Sequence, residues 1–328
     1  MIGVIGAGLV GTHVVDTLVG NGQAQVSIND SNGAAAARLA SRVSTPSARV
    51  VSAGVNSMFE SDLVVLACPA PHAKAARRLL EAGVSVVSCS DDLDDTLAML
   101  DLDSLARQQG RTLVIGATMS PGLSGLLVRM MSTRFSGIDE AHIAVHGTAG
   151  PACAQQHHRA LAGQSIGWHD GDWLRRPAGS GRELCWFPDP VGPRDCYRAE
   201  LADPVALHQA IPELVRVSVR MSANRRDRLT ARLPMLTPPH AEGGIGALRV
   251  EVRGWRDEMR HVEVVGVADR VAHVAGLVAA TVARAIVVGE FPSGARVLGD
   301  DESPNASVLR DVVDAGLHLH EFVGSALG

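Results

Sequence analysis

Lysine is almost missing from this sequence: of 30 lysine and arginine residues, only Lys74 is a lysine. A catalytic Schiff base would have to form on Lys74, and no flanking stretch predicts the apolar environment that would activate its amine. Aromatic residues make up only 3% of the 328 residues, and Tyr197 is the only tyrosine. Any phenolic proton donor must therefore be Tyr197, with packing in the interior as the competing interpretation.

An excess of positive charge, a secretory signal and a cysteine framework are missing as well. The net charge of −5 is not the basic footprint of a protein that binds nucleic acid. No signal-peptide pattern is present, and the five cysteines form no C-x-x-C pair, so we expect reduced thiols and a cytoplasmic protein. The longest apolar stretch, residues 271–289, contains His273 and Arg284, which predicts a buried helix and no membrane segment.

A glycine-rich turn near the start of the chain is the strongest motif present. The apolar run 1–5 precedes the G-x-G-x-x-G pattern of Gly6, Gly8 and Gly11, and a helical pattern, a second apolar run and Asp30 follow it. In such a strand–turn–helix–strand unit the three glycines allow a tight turn, the approach of a pyrophosphate and close packing of the helix on the sheet. The helix N-terminus binds phosphates, so we predict a dinucleotide-binding unit.

Asp30 bears on the choice of nucleotide. A carboxylate at the end of the second strand accepts hydrogen bonds from ribose hydroxyls and repels a 2′-phosphate. The next residues are Ser31 and Asn32, and the first arginine after them is Arg38. We therefore predict NAD as the cofactor, with NADP as the open alternative because Ser31 and Asn32 can hydrogen-bond a phosphate.

Short apolar runs in the first 135 residues predict parallel strands that helices cover on both faces. The runs lie at 49–51, 63–67, 85–88 and 112–115, with helical patterns at 34–43, 72–82 and 126–134. We predict an α/β fold with a Rossmann-type doubly wound parallel sheet, formed by residues 1–130 and completed by residues 290–328.

In the second half, apolar and polar residues alternate, which is typical of a sheet buried on one face. The alternating segments are 142–146, 215–222, 229–233, 248–253 and 262–265. We predict an inserted α+β domain with a largely antiparallel sheet at residues 131–289, closed by a helix at 269–289.

Three segments of the first half resemble the saccharopine dehydrogenase-like family of nicotinamide-dependent reductases. They are GAGLVG at 6–11, VSCSDDLDDTLAMLD at 87–101 and VIGATMSPGLSGLLVR at 114–129. The resemblance covers about the first 135 residues. It implies a nucleotide-binding domain, an inserted mixed domain and a C-terminal return to the first domain. It also implies hydride chemistry at a carbon–nitrogen bond of an amino-acid-like substrate.

The carboxyl ends of the parallel strands are the expected ligand-binding edge, because open α/β sheets bind ligands there. The cofactor-binding residues predicted on this basis are Gly6, Gly8, Leu9, Val10, Gly11, Asp30, Ser31, Cys68, Pro69 and Ser90.

Three side chains are candidates for catalysis. His72 is either a neutral donor facing the nicotinamide or a surface residue in the first turn of a helix. Asp91 either acts as general base or orients a substrate amine, unless it and Asp92 only cap the following helix. Tyr197 is the phenol discussed above. His157, His158, His318 and His320 have no nearby acidic or thiol ligand at zinc spacing, so we expect no metal site.

Six arginines are predicted on the polar face of the second sheet. They are Arg216, Arg220, Arg228, Arg232, Arg249 and Arg253. They either pair with Glu251 and Glu263 on a solvated or dimer-forming face or bind a substrate carboxylate.

The predicted function is hydride transfer between NAD(P) and a carbon–nitrogen bond of a small, carboxylate-bearing amino or imino acid. The cofactor supplies the hydride chemistry and the protein positions the substrate. A homodimer is expected, with neither nucleic acid nor membrane as a partner. A dehydrogenase for a small alcohol or aldehyde and a non-catalytic nucleotide sensor are the alternatives.

Overall fold

Seven parallel strands form the first sheet of the molecule. The structure is a computed structural model and describes residues 1–23, 25–235 and 239–322. Numbered along the whole chain, the strands are β1 (Ile2–Ile5), β2 (Gln25–Asn29), β3 (Arg49–Ser52), β4 (Leu63–Leu66), β5 (Ser85–Ser88), β6 (Thr112–Ile115) and β15 (Gly294–Val297). Their order across the sheet is β15-β6-β5-β4-β1-β2-β3. The predicted doubly wound sheet is confirmed, and the chain returns to it late through β15.

Helices cover both faces of this sheet. They include α1 (Leu9–Gly20), α2 (Gly33–Val43), a 3-10 helix (Val55–Glu60), α3 (Ala73–Glu81), α4 (Leu93–Leu100) and α5 (Asp103–Gln108). Helix α6 (Leu123–Ser132) packs on the second sheet, and α11 (Asn305–Asp314) packs on α6. The side chains of β4, β5 and β6 are buried along their full length, as a parallel strand covered on both faces requires.

The predicted apolar helix is present as α10 (Val271–Val287). It packs on α1 and on strands β4 and β5. It therefore joins the first unit, built on this sheet, to the second unit, built on the second sheet, instead of closing the second unit alone. Helix α1 comes so close that a Cβ atom on Gly276 would lie 2.4 Å from the Cβ of His13. In the part of the chain that the structure describes, no helix is long and apolar enough to cross a bilayer.

The second sheet is mixed. Its strands are β7 (Gly137–His146), β8 (Gln164–His169), β9 (Asp172–Pro177), β10 (Glu183–Trp186), β11 (Pro193–Arg198), β12 (Arg216–Ser222), β13 (Ile245–Arg256), β14 (Met259–Arg270) and β16 (His320–Glu321). The main path runs β10-β11-β12-β7-β13-β14-β16, and β8 pairs with both β12 and β9. Among the described strand pairs of this second sheet, only β7–β12 is parallel, so the predicted antiparallel character is confirmed.

The C-terminal segment contributes to both sheets. Strand β15 pairs with β6 of the first sheet, whereas β16 pairs with β14 of the second sheet. The predicted completion of the first domain by residues 290–328 stays a prediction, although β15 joins the first sheet and β16 does not. Residues 323–328 lie outside the described residues.

The alternating segment 229–233 was wrongly predicted as a strand. The structure instead has helix α9 (Arg225–Thr230), whose N-cap Asn224 accepts a hydrogen bond from the Asp227 amide at 2.8 Å. Such a cap satisfies a free amide of the first helical turn and favours the helix. Two further helices, α7 (Pro151–Ala160) and α8 (Asp203–Ala210), escaped prediction because their few large apolar side chains make a weak helical pattern.

Four of the six arginines lie on the polar face of the second sheet. Arg249 and Arg253 both pair with Glu251, as the pairing interpretation predicts. Arg216 pairs with Glu140 and Asp170, and Arg220 pairs with Glu183. Arg228 and Arg232 lie in and after α9, off the sheet. The dimer-forming role of this face stays a prediction.

Candidate active site

A cavity of about 650 Å³ lies where the carboxyl edge of the first sheet meets the second unit. From the first sheet it is lined by the loops that follow β1, β2, β4, β5 and β6. From the second unit it is lined by the end of β7, the start of α7 and one side of α10. Its lining includes Gly6, Gly8, Leu9, Val10, Asp30, Ser31, Cys68, Pro69, Ser90, Asp91, Thr118, Ser120, Cys153, Gln156 and His157. Nearly all the predicted cofactor-binding residues therefore share one cavity.

The three glycines of the motif have different surroundings. Gly6 has φ +113°, and a Cβ on it would lie 2.6 Å from the Ala67 carbonyl oxygen. A Cβ on Gly11 would lie 1.8 Å from the Gly6 carbonyl oxygen, so α1 can pack here only with glycine. No atom of the described residues lies within 4 Å of a Cβ placed on Gly8, and no described side chain caps the helix at this residue. The geometry thus leaves open space and free amides where a pyrophosphate is expected.

Asp30 holds this loop in place. Its Oδ2 accepts a hydrogen bond from the Ala7 amide and its Oδ1 accepts one from the Asn32 amide, both at 2.7 Å. Asn32 in turn caps α2 through the Ala35 amide. The carboxylate of Asp30 therefore lies beside the glycine loop and lines the cavity. Its contact with ribose, and with it the preference for NAD, stays a prediction.

His72 is a structural residue in this arrangement. Its side chain is 1% exposed and is not among the described side chains that line the cavity. Nε2 donates to the Cys68 carbonyl oxygen at 2.9 Å, so Nδ1 accepts from the Ser88 hydroxyl at 2.8 Å. Burial lowers its pKa, which keeps the ring neutral. His72 is thus neutral, as predicted, but its hydrogen bonds stabilise the loop after β4 and do not point into the cavity. Because the side chain is buried, the interpretation as a surface residue is also wrong.

Tyr197 lies away from the cavity. It is 5% exposed on β11, and the guanidinium carbon of Arg228 lies 3.9 Å from its ring centroid. Arg228 also donates to the Gly179 carbonyl oxygen at 3.1 Å. Neither side chain lines the cavity, so the geometry contradicts Tyr197 as a proton donor there and supports packing.

The two neighbouring carboxylates after β5 have separate roles. Asp92 is the N-cap of α4, because its Oδ1 accepts a hydrogen bond from the Asp95 amide at 2.9 Å. Asp91 makes no such cap and lines the cavity, with Oδ2 3.0 Å from Nε2 of His157. The competing interpretation of Asp91 as a helix cap is therefore wrong, and its catalytic role stays a prediction.

His157 brings a thiol to the same point. Its Nε2 also lies 3.7 Å from Sγ of Cys153, one turn earlier on α7. Burial alone would lower the pKa of His157, but the Cys153 thiol and the Asp91 carboxylate outweigh it and raise the pKa well above its ordinary value. The prediction that His157 has no acidic or thiol neighbour was wrong. The C-x-x-x-H spacing of Cys153 and His157 puts both on one helix face and was the available signal.

Asp203 is a buried acid that lies behind the residues lining the cavity. Both carboxylate oxygens of Asp203 accept hydrogen bonds of 2.7 Å, one from the Ser120 hydroxyl and one from the Ser124 hydroxyl. Burial raises the pKa of Asp203 to about 6, although these hydroxyls act in the opposite direction. Sequence reasoning missed Asp203, which begins one of the unpredicted helices.

Two carboxylates and the imidazole of His157, which is paired with Asp91, set the charge of the cavity. Asp30 and Asp91 line it, whereas none of its described lining residues is an arginine or a lysine. The expected guanidinium partner for a substrate carboxylate is therefore not among them. Cys89 also lines the cavity, and burial raises its pKa to about 12, so this thiol stays protonated.

Comparison with known proteins agrees with this nucleotide-binding geometry. Residues 1–92 match the family model described as NADP oxidoreductase, coenzyme F420-dependent. A comparison with curated proteins gave no match. Among solved structures, apo saccharopine dehydrogenase (L-Glu forming) from Saccharomyces cerevisiae has a TM-score of 0.73 at 15% identity, covering 98% of this chain and 99% of that chain.

Other solved dehydrogenases are less similar in structure. The WlbA dehydrogenase from Bordetella pertussis, in complex with NADH and UDP-GlcNAcA, has a TM-score of 0.45 at 14% identity over 99% of both chains. An engineered D-amino acid dehydrogenase bound to NADP+ has a TM-score of 0.46 at 14% identity, covering 94% of this chain and 98% of that chain.

The family-model match covers the elements that build the nucleotide edge, from β1 through the glycine loop to the end of β5. The likeness to saccharopine dehydrogenase extends over nearly the whole chain and concerns the fold. The chain is an NAD(P)-dependent oxidoreductase with the fold of saccharopine dehydrogenase.

Proposed function

We propose that the chain transfers hydride between NAD(P) and a carbon–nitrogen bond of a small amino or imino compound. The observation that carries this proposal is the position of Asp91, whose carboxylate opens into the same cavity as the glycine loop. In a doubly wound sheet the dinucleotide crosses the carboxyl ends of the strands. The residue at the end of β5 therefore lies on the path from the glycine loop towards the reacting end of the cofactor.

The charge of the cavity suits a nitrogen substrate. An amine or iminium carries N–H groups or positive charge, and a carboxylate accepts hydrogen bonds from these groups and stabilises the charge. In the reducing direction the hydride adds to carbon, and the nitrogen keeps or gains a proton. Asp91, held by His157, is placed to orient that nitrogen. The fold shared with saccharopine dehydrogenase supports the same reaction class by analogy only.

Dehydrogenation of a small alcohol or aldehyde is the second candidate. The lining of the cavity favours this candidate, because none of the described lining residues offers a guanidinium to bind an amino-acid carboxylate. A hydroxyl substrate needs only a group that polarises or deprotonates its oxygen. The cluster of Asp91, Cys153 and His157 can serve that purpose as well as it serves a nitrogen.

A substrate screen separates the two candidates. Purified protein is mixed with NADH or NADPH and a panel of aldehydes, ketones and keto acids, each with and without an added amine, and nicotinamide absorbance is followed. We expect oxidation of the reduced cofactor only when carbonyl compound and amine are both present. Equal rates without amine would support the alcohol or aldehyde candidate instead.

A pair of neighbouring variants tests the role of Asp91. Asp91→Asn keeps the size of the side chain and removes its charge, so we expect turnover to fall about a hundredfold or more with little change in melting temperature. Asp92→Asn is the matched control, because asparagine still caps α4 and turnover should stay near that of the parent protein. Full turnover in Asp91→Asn would remove Asp91 from the catalytic site.

A further inference from the structure

Three ligand atoms of different chemistry converge at one point of the cavity. The Asp91 carboxylate oxygen, the Cys153 Sγ and the His157 Nε2 all lie within 4.8 Å of one another. Nε2 lies 3.0 Å from Asp91 Oδ2 and 3.7 Å from Cys153 Sγ. Ligands at ordinary zinc bond lengths in a tetrahedral site are separated by about 3.3–3.8 Å. The two separations from Nε2 lie within a few tenths of an ångström of this range, and the third, between the Asp91 oxygen and Cys153 Sγ, is at most 4.8 Å.

A single proton cannot satisfy this arrangement. Both neighbours approach the same nitrogen, and an N–H at Nε2 can point well at only one of them. Nδ1 of the same ring is buried and has no hydrogen-bond partner among the described residues. A metal ion at the centre would take an electron pair from all three atoms and leave the imidazole neutral.

The three ligands are held by firm parts of the fold. Cys153 and His157 are one turn apart on α7, so they share a helix face. Asp91 lies between strand β5 and helix α4, whose first turn is fixed by the neighbouring cap Asp92. Little conformational freedom would have to be lost when an ion binds.

The donor set selects the kind of ion. A thiolate and an imidazole favour zinc and similar borderline ions, whereas magnesium and calcium require oxygen ligands. Three protein ligands beside a cavity leave a fourth coordination position open, which is the pattern of catalytic and not of structural zinc sites. All three ligand residues line the cavity in which the substrate is proposed to bind.

We propose that Asp91, Cys153 and His157 bind one zinc-class divalent cation whose open position receives the reacting heteroatom of the substrate. The bound ion would act as a Lewis acid on that nitrogen or oxygen. The binding of the ion is independent of the proposed function, whereas its contact with substrate rests on it. The expectation of no metal site is replaced by this proposal, since its premise about the neighbours of His157 was wrong.

Cobalt binding tests the site without any substrate. The full chain is stripped with a chelator, and Co²⁺ is titrated while the thiolate-to-cobalt absorbance in the near ultraviolet is recorded. We expect the band to saturate at one ion per chain and Zn²⁺ to displace the cobalt. Mg²⁺ should not displace it. Absence of the band from folded protein would overturn the proposal.

Ligand variants and matched controls locate the ion. Cys153→Ser should remove the thiolate band, and His157→Gln should weaken Co²⁺ binding more than about tenfold, since even outer-shell changes weaken metal binding by 10–100-fold. Cys89→Ser, a cavity thiol outside the cluster, and Asp92→Asn should bind like the parent. Melting temperatures confirm that each variant is folded. Loss of the band in Cys89→Ser but not in Cys153→Ser would overturn the assignment.

The outcome is distinguishable from a failure of the proposed function. Cobalt binding with no hydride transfer to any compound of the screen would keep the metal site and reject the reaction. Hydride transfer that persists at full rate in chelator-treated, metal-free protein, with no cobalt band, would keep the reaction and reject the metal site.

Discussion

The cavity has two halves that are built on different principles. The nucleotide half consists of residues 6–11 and Asp30, and its main groups are backbone amides and glycines that leave space. The reacting half consists of the side chains of Asp91, Cys153 and His157, which come from both units of the molecule. Substitutions that add side-chain atoms should therefore impair nucleotide binding in the first half. Substitutions that remove a functional group should impair the reacting half.

The two halves also differ in what holds them. Asp30 fixes the glycine loop through two main-chain amides within its own strand–helix–strand unit. In the reacting half, the loop after β5 must meet α7 before the His157–Asp91 contact can form. Loosening the contact between the units should therefore impair the reacting half before it impairs nucleotide binding.

The largest expected effect comes from filling the nucleotide half. Gly8→Val places a branched side chain in space that holds no atom of the described residues, so the variant should fold. We expect NADH binding to weaken about a hundredfold or more, where each tenfold corresponds to about 1.4 kcal/mol, because the pyrophosphate can no longer approach the amides. The measurement is NADH fluorescence titration.

Gly20→Val is the matched control for Gly8→Val. Gly20 ends the same helix, and its Cβ position is equally free of neighbours. Its titration should resemble that of the parent protein. An unchanged affinity in Gly8→Val would show that the dinucleotide does not bind at this loop.

The nucleotide half was predictable because its signals are local. A strand, a glycine turn, a helix and an acid follow one another within 30 residues, and the positive φ of Gly6 and the contact of Gly11 with the Gly6 carbonyl oxygen both arise within this segment. The parallel order of the first sheet follows from the same strand–helix alternation. Such features depend on backbone conformation, which neighbouring residues decide.

The reacting half was only partly predictable. Asp91 could be placed at the end of β5 from sequence, but its neighbour His157 lies 66 positions later. Helix α7 has no strong apolar stripe, so neither its existence nor its position over the strand ends was visible. The prediction of Tyr197 as a proton donor rested on its being the only tyrosine. Rarity in the sequence gives no information about where a side chain points.

The contact between the two units of the molecule can be tested through Asp203, which begins α8 and accepts hydrogen bonds from the hydroxyls of Ser120 and Ser124. Burial raises the pKa of Asp203 to about 6, so the folded state holds the proton more tightly than the unfolded state. The stabilisation is fully present below about pH 4 and is lost as the pH rises towards 6. The loss should amount to about 2–3 kcal/mol.

Asp203→Asn removes this pH dependence. Asparagine cannot ionise, so the variant does not lose this stabilisation as the pH rises. The free energy of unfolding of the variant minus that of the parent should therefore increase by about 2–3 kcal/mol between pH 4 and pH 7. Urea unfolding at both pH values measures the difference, and Asp172→Asn at an exposed position controls for the loss of a charge. Parallel pH profiles of parent and Asp203→Asn would contradict a protonated Asp203.

The smallest expected effect concerns the choice of nucleotide. Replacing Asp30 with serine and Ser31 with arginine removes the carboxylate that repels a 2′-phosphate and adds a guanidinium that pairs with it. We expect the ratio of NADH to NADPH affinity to shift towards NADPH about tenfold, or about 1.4 kcal/mol. Because Asp30 also holds the Ala7 and Asn32 amides, NADH affinity itself should fall. Ser31→Arg alone keeps these hydrogen bonds and separates the two contributions in the same fluorescence titrations. Tighter binding of NADPH than of NADH by the unmodified protein would show that Asp30 does not select against the phosphate.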